Sequence, residues 1–233
     1  MRQLIINLYF WALDYIYVAK EQVVGILSRS KPDQYRTDDG RSIILIPGVY
    51  ENWRFMRPVA KLLATHGFDV HIIDGLGYNR GTVEAMAKVV KQYITANELS
   101  DITIIAHSKG GLIGKYLLAL FADQSTIRQL ITLNTPFSGS FYAYFLPIRS
   151  LRIFTPHSKI LTSLSHDELA NSRIVSIYGQ FDPHIPGGSK LEGAKNIQLS
   201  TYGHFRIMND PDVHATILDN IGTSGRTTTS ESV

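Results

Sequence analysis

Cysteine is absent from the 233-residue chain. That absence excludes a thiol nucleophile, disulfide bridges and thiolate metal sites, although it does not fix the compartment. Charge is also scarce: 18% of the residues are charged, the formal net charge is +3, and no dense lysine or arginine run occurs. Arg54, Arg57 and Lys61 recur at helical spacing and read as a solvated helix face, so no nucleic-acid partner is expected. An uncharged apolar span of the roughly 18–20 residues needed to cross a bilayer is missing too. The nearest approach, residues 4–19, is cut by Asp14. No small-x-small cleavage site follows it before Lys20-Glu21, which argues against a secretory signal. There is no internal repeat, and Gly75-Leu76-Gly77 does not continue as G-x-G-x-x-G, so it reads as a turn and not a dinucleotide site.

A hydrophobic fraction of 44% is enough to bury a substantial core, and a chain of this length is expected to form one catalytic-sized domain. Short β-branched runs at 42–46, 69–73, 102–106, 127–133, 174–178 and 197–199 alternate with helical patterns at 53–66, 82–97, 108–122 and 212–221. That alternation predicts the α/β class: a mostly parallel sheet of about six strands with helices on both faces. The domain proper should span 42–221. The stretch 134–173 shows no strand pattern, and a structureless loop of that length is improbable in a compact domain, so a lid or cap is expected over about 140–173. Its apolar side chains, including Phe141, Tyr142, Tyr144, Phe145, Leu146, Ile148, Leu151, Ile153 and Phe154, would line a pocket, face lipid or cover the sheet. From residue 222 to 233 no apolar periodicity remains, and a disordered tail is expected.

Residues 1–41 form an apolar, aromatic helix and a linker. Tyr9, Phe10, Trp11, Tyr15 and Tyr17 crowd residues 4–19, while Asn7, Asp14 and Glu21 recur every seven residues and would make one narrow polar stripe on a helix. Two readings stay open. The helix lies in or is anchored to a membrane interface, where aromatic residues are favoured, or it docks on an apolar flank of the domain. The first gives a membrane-associated protein, the second a cytoplasmic one.

Chemistry is concentrated at Ala106-His107-Ser108-Lys109-Gly110-Gly111. This is G-x-S-x-G with alanine at its first position, placed between a strand and a helix. A sharp strand-to-helix turn requires small flanking residues and holds the serine hydroxyl outside the sheet, with backbone N–H groups behind it. Ser108 is therefore the candidate nucleophile. A serine nucleophile needs a base and a group to orient that base. Asp182 follows the 174–178 strand in Gln180-Phe181-Asp182-Pro183, and His204 follows the last strand in Tyr202-Gly203-His204-Phe205. The order serine, acid, histidine is that of the α/β-hydrolase arrangement. Asp74, after an earlier strand, is the reserve acid. The oxyanion donors are expected to be the N–H of Lys109 and that of Val49 in Pro47-Gly48-Val49-Tyr50, with Tyr50 as the alternative if the loop register differs by one. Tyr50, His107, Phe137, Phe141 and His184 are the expected substrate-binding residues, His184 by its place beside the acid.

The combination resembles the lipase branch of the α/β-hydrolase superfamily, especially small bacterial triacylglycerol lipases and their actinobacterial relatives, over roughly residues 42–221. The resemblance rests on the Ala-His-Ser-Lys-Gly-Gly elbow, the threonine-proline turn Leu133-Asn134-Thr135-Pro136-Phe137, and the late Gly203-His204-Phe205-Arg206-Ile207 with Asp210-Pro211. One departure is Pro47-Gly48 where many such lipases have His-Gly. The resemblance implies hydrolysis of an acyl ester, lipid-like in view of the lid, through an acyl-enzyme with no metal or organic cofactor. Acyl transfer or thioester cleavage would use the same three residues. An inactive scaffold acting as a membrane-associated binding protein is the alternative outside enzymology.

Overall fold

The computed structural model describes residues 2–27, 30–121, 125–144, 151–156, 158–165 and 167–221. The tail 222–233 and the lid residues Phe145, Leu146 and Ile148 fall outside them. The chain begins with helix α1 (Arg2–Leu27). The alternating part follows: β1 (Ser42–Ile46), α2 (Arg57–Thr65), β2 (Asp69–Ile72), α3 (Val83–Ala96), β3 (Ile102–His107), α4 (Lys109–Leu120) and β4 (Ile127–Leu133). Two short helices, α5 (Lys159–Ser165) and α6 (Glu168–Asn171), precede β5 (Ile174–Phe181), β6 (Lys195–Tyr202) and α7 (Pro211–Ile221).

All six strands are parallel, in the order β2-β1-β3-β4-β5-β6. Because side chains alternate along a strand, a sheet covered on both faces needs apolar residues in unbroken runs. Here Ile44, Ile46, Ile104 and Ala106 face α3 and α4, with Val90, Ile94, Leu112 and Ile113 packed on them. Ile43, Leu45, Ile105 and Ile131 face the other way, toward Val59 and Leu63 of α2 and Val213 and Ile217 of α7. The chain steps from β1 outward to β2, then returns to the other side of β1 to begin β3. The carboxyl ends of β1 and β3 thus flank the point where winding reverses, the place where open α/β sheets leave a crevice.

β5 runs to Phe181, beyond the expected 178, and two further boundaries differ from expectation for identifiable reasons. The helix expected over 53–66 begins as a 3-10 turn, Trp53–Met56, and becomes α-helical only at Arg57. Pro58 accounts for the change: it has no N–H to donate and is tolerated only in the first turn of an α-helix. β6 runs well beyond 197–199. It is an edge strand, and its exposed polar Lys195, Gln198 and Ser200 hide its length from a search for apolar residues.

The lid region is built, among its described residues, from the 3-10 turns Phe141–Tyr144 and Arg152–Phe154 and from α5 and α6, without a strand.

α1 packs on the domain, and the docking face is its polar stripe. Asp14 is fully buried and Glu21 nearly so, and Arg57 of α2 donates to Glu21 at 3.0 Å. The expectation of a freely solvated Arg57 is corrected accordingly. Phe10 stacks on Tyr202 at the end of β6 with ring centroids 4.3 Å apart. The opposite side of α1 exposes Leu8, Tyr9, Trp11, Ile16 and Val23. Among the described residues, no helix is long and apolar enough to cross a membrane.

Candidate active site

Ser108 sits directly after β3 with φ 50° and ψ −121°, a backbone conformation that a residue with a side chain adopts only under constraint. Neighbouring contacts supply the constraint. A Cβ at Gly110 would lie 2.3 Å from the carbonyl oxygen of Ile46, and one at Gly111 would lie 2.0 Å from Oγ1 of Thr135. Both glycines are present because α4 is pressed against β1 on one side and the turn after β4 on the other. The buried Lys109 side chain fastens the same turn from below, its Nζ donating to the carbonyl oxygens of Asn79, at 2.8 Å, and Gly81. Burial pulls that ammonium down to about 8, with Glu84 opposing.

From Ser108 a continuous line of hydrogen bonds leads inward. The Ser108 hydroxyl is 3.0 Å from His204 Nε2, and His204 Nδ1 is 2.7 Å from Asp182 Oδ2. Asp182 Oδ1 accepts the backbone N–H groups of His184, at 2.8 Å, and Ile185, at 3.1 Å. With its oxygens on opposite duties, the carboxylate fixes which nitrogen of His204 carries hydrogen: Nδ1 donates to Asp182 and Nε2 is left to accept from serine. Burial alone would drive Asp182 up and His204 down. Their mutual attraction and hydrogen bond outweigh it, so Asp182 lies below and His204 above its ordinary value.

His107 does not reach the pocket. It is fully buried, with Nδ1 2.8 Å from Glu51 Oε1 and Nε2 2.9 Å from the carbonyl oxygen of His204. Glu51 also accepts the Gly48 N–H at 2.8 Å, so one buried carboxylate joins the loop after β1 to the serine turn and, through His107, to the histidine loop. Asn134 completes the frame. Its amide donates to the carbonyl oxygens of Gly203 and His204 and accepts from the Gly179 N–H.

A cavity of about 400 Å³ opens beside Ser108 and His204, walled mainly by apolar side chains such as Val49, Phe55, Leu151, Phe154 and Ile185. Of the expected binding residues, Tyr50 and His184 line it; Phe137 and Phe141 do not. Phe137 is buried in the core over Lys115, and Phe141 stands exposed outside the cavity, where Tyr142 takes the lining position instead. Three further wall residues, Tyr15, Val18 and Gln22, come from α1. Tyr15 binds His184 Nε2 through its hydroxyl at 2.9 Å. Burial and the neighbouring His204 pull His184 down to about 4, which leaves it neutral at pH 7. A wider recess of about 730 Å³ beneath the end of α1 is lined by paired and solvated charges and lies away from Ser108.

The loop after β1 separates the two candidates for the second oxyanion donor. The Tyr50 N–H already donates to the carbonyl of Tyr78 at 2.9 Å, and Tyr50 itself holds φ 62°. The N–H groups of Val49 and Lys109 have no acceptor among the described residues. Asp74, the reserve acid, is exposed and takes no part in the line of bonds. Ligand atoms of Asp182, His184 and His204 lie within 4.8 Å of one another, a spacing that could hold a metal ion, yet those of Asp182 and His204 are already committed to the bonds above.

Sequence reasoning missed Asp14, Glu51 and Asn134. Asp14 was visible as an interruption of an apolar run and as one member of a polar stripe, with no sign of its partner, and the other two sit in loops where acidic and amide residues are ordinary.

Comparison with known proteins accords with this architecture. The family described as alpha/beta hydrolase fold matches residues 41–156. Triacylglycerol lipases of Pseudarthrobacter phenanthrenivorans and Burkholderia plantarii are each 32% identical to the chain over 89 residues. That stretch is 36% of this chain but only 27% and 24% of theirs, about a quarter of the relatives' length. Among solved structures, the Paleococcus ferrophilus monoacylglycerol lipase superposes with a TM-score of 0.56 at 16% identity, covering 77% of this chain and 93% of that one.

Proposed function

The chain is a member of the α/β-hydrolase fold, and from that premise we propose that it is a serine carboxylic ester hydrolase of the lipase or esterase kind, with Ser108, His204 and Asp182 as its triad. One observation carries the reading: the unbroken line Ser108–His204–Asp182 ends at an apolar cavity beside two N–H groups, those of Val49 and Lys109, that have no acceptor among the described residues. His204 Nε2 takes the proton from Ser108 as its oxygen attacks the ester carbonyl. The N–H groups of Val49 and Lys109 receive the negative charge on the carbonyl oxygen. His204 then protonates the leaving alcohol, and the acyl group remains on Ser108 until water, activated by the same histidine, releases it as the acid. Asp182 holds the ring and stabilises the imidazolium.

The wall composition supports an apolar acyl chain as the cavity's occupant. The exposed side of α1, with Leu8, Tyr9, Trp11 and Ile16, is continuous through Tyr15 with the cavity rim, near the exposed Tyr142. Aromatic and aliphatic side chains so placed suit a lipid–water interface, and the helix would lie on it, not cross it. In this reading residues 140–173 act as the lid and α1 as the opposite wall.

The decisive experiment is fluorophosphonate labelling of the intact protein beside Ser108→Ala, with the modified peptide located by mass spectrometry. Selective labelling of Ser108 and turnover of short p-nitrophenyl esters are expected. Folded protein that neither labels nor turns over, with or without detergent, would leave an inactive scaffold.

A further inference from the structure

The helix that forms one wall of the cavity also reaches the catalytic histidine. Asp14 of α1 has no solvent exposure, and its carboxylate accepts three consecutive backbone N–H groups: His204 at 2.8 Å on Oδ2, Phe205 at 2.9 Å and Arg206 at 3.0 Å on Oδ1. These groups open the 3-10 turn Arg206–Asn209, so an acid 190 residues upstream performs the service that a cap normally takes from the residue just before a helix. The fit is tight enough to dictate the sequence of the loop. A Cβ at Gly203 would come 2.6 Å from Asp14 Oδ1, and Gly203 holds φ +106°. His204 is consequently fixed at four points: its N–H by Asp14, its carbonyl by His107 and Asn134, Nδ1 by Asp182 and Nε2 by Ser108.

We propose that Asp14 is a positioning residue for the His204 base, so that α1 is a component of the catalytic apparatus. The proposal rests on the triad reading given above. A buried carboxylate that accepts three consecutive backbone N–H groups holds the loop in place, and a misplacement of about 1 Å at a base can cost on the order of 10²-fold in rate. Asp14 contributes charge as well as geometry. The ionisable groups facing His204 are Asp182 and His184 from the β5 side, His107 from β3, Glu51 from the loop after β1 and Asp14 from α1. Of these, Asp182, Glu51 and Asp14 hold negative charge that favours the imidazolium.

Asp14→Asn replaces one acceptor oxygen with a donor that faces an N–H. Expected are a drop of about 10²-fold in kcat with KM little changed, and an acid limb of kcat/KM displaced to lower pH. Glu21→Gln loosens the same helix at its Arg57 contact, away from the histidine loop. It is expected to lower the melting temperature while leaving kcat and the acid limb in place. If Asp14→Asn does not fold, Asp14→Ala in formate serves, because a carboxylate in the vacated space should restore turnover where chloride does not. Hydrogen exchange at the amides of 204–206 reads the tether without any substrate and should accelerate in either Asp14 variant. Faster exchange in these variants, beside a wild type that hydrolyses no ester, would retain the tether and discard the triad reading. Unchanged exchange, or an Asp14→Asn variant with the kcat and acid limb of Glu21→Gln, would overturn the proposal.

Discussion

Replacing Asp182 by asparagine tests the relay at its most constrained point. Asp182 Oδ1 is held by the N–H groups of His184 and Ile185, and only Oδ2 faces His204. Asparagine has one acceptor oxygen. Turning it toward His204 would set its NH2 group against two backbone donors, so the oxygen stays with the loop and the NH2 group faces Nδ1. His204 must then present a lone pair at Nδ1 and carry its hydrogen on Nε2, where it points at Ser108 and cannot serve as a base. Loss of the base through the wrong tautomer is worth about 10⁴-fold in kcat in triad enzymes, or roughly 5 kcal/mol of barrier. The same reasoning ranks two variants. Asp182→Ala leaves the tautomer unbiased, so Asp182→Asn, although closer in shape, should be no milder. The assay is kcat at saturating p-nitrophenyl ester, with the rate of fluorophosphonate labelling as a second measure. Wild-type kcat/KM should fall on the acid side through a single ionisation above the ordinary histidine value, because a base held charged by Asp182 is lost as pH falls through its raised pKa. A decrease below tenfold in Asp182→Asn, or full activity in Asp182→Asn beside an inactive Asp182→Ala, would refute the tautomer argument.

Gly111→Ala would place a methyl group 2.0 Å from Thr135 Oγ1, whose hydroxyl holds the Ser108 carbonyl at 3.0 Å. The overpacking should cost about 1–3 kcal/mol, seen as a fall in melting temperature of about 2–4 °C for each kcal/mol; an unshifted melting curve would show that the turn after β4 gives way freely. On the outer side of α1, Leu8→Glu with Ile16→Glu should abolish sedimentation with phospholipid vesicles while short soluble esters are still cleaved at the wild-type rate. Equal sedimentation of both proteins would remove the interfacial role assigned to that surface.

Much of the sheet was legible because both its faces are covered. Ile43 to Ile46 are apolar without interruption, Ile102 to Ala106 is broken only by the β-branched Thr103, and runs so short between helical patterns fit little besides a strand buried on both sides. Ser108 was legible through the crowding it imposes, since Gly110 and Gly111 are written into the sequence by contacts a side chain would violate. Asp182 and His204 followed from position at strand ends. The helical character of α1 and its stripe were visible, but not which side of the helix packs on the domain. Asn7, Asp14 and Glu21 gave a periodicity but no sign of what it faced, and amphipathicity is ordinarily read with the apolar side inward. Asp14 and Glu51 are buried against partners far away in the chain, the 204–206 loop and His107, so their burial is invisible to any local window. Phe137 illustrates the reverse error. It was expected to bind substrate, whereas the turn after β4 directs it into the core over Lys115.

The bond between residues 14 and 204 also has a meaning in time. A ribosome adding about 5–20 residues each second needs roughly 10–40 s to pass from the helix to the loop it holds. Throughout that interval α1 carries an apolar outer side and an acid awaiting backbone donors that have not been made. Contacts of such sequence separation are the slowest to close, since the intervening loop entropy is lost before they form. The nascent chain can complete β1 through β4 and set Ser108 on its turn long before His204 is in place. On the proposed triad reading, competence for catalysis is therefore deferred to the last steps of folding, and a chain released early would carry a shaped serine turn with no base beside it.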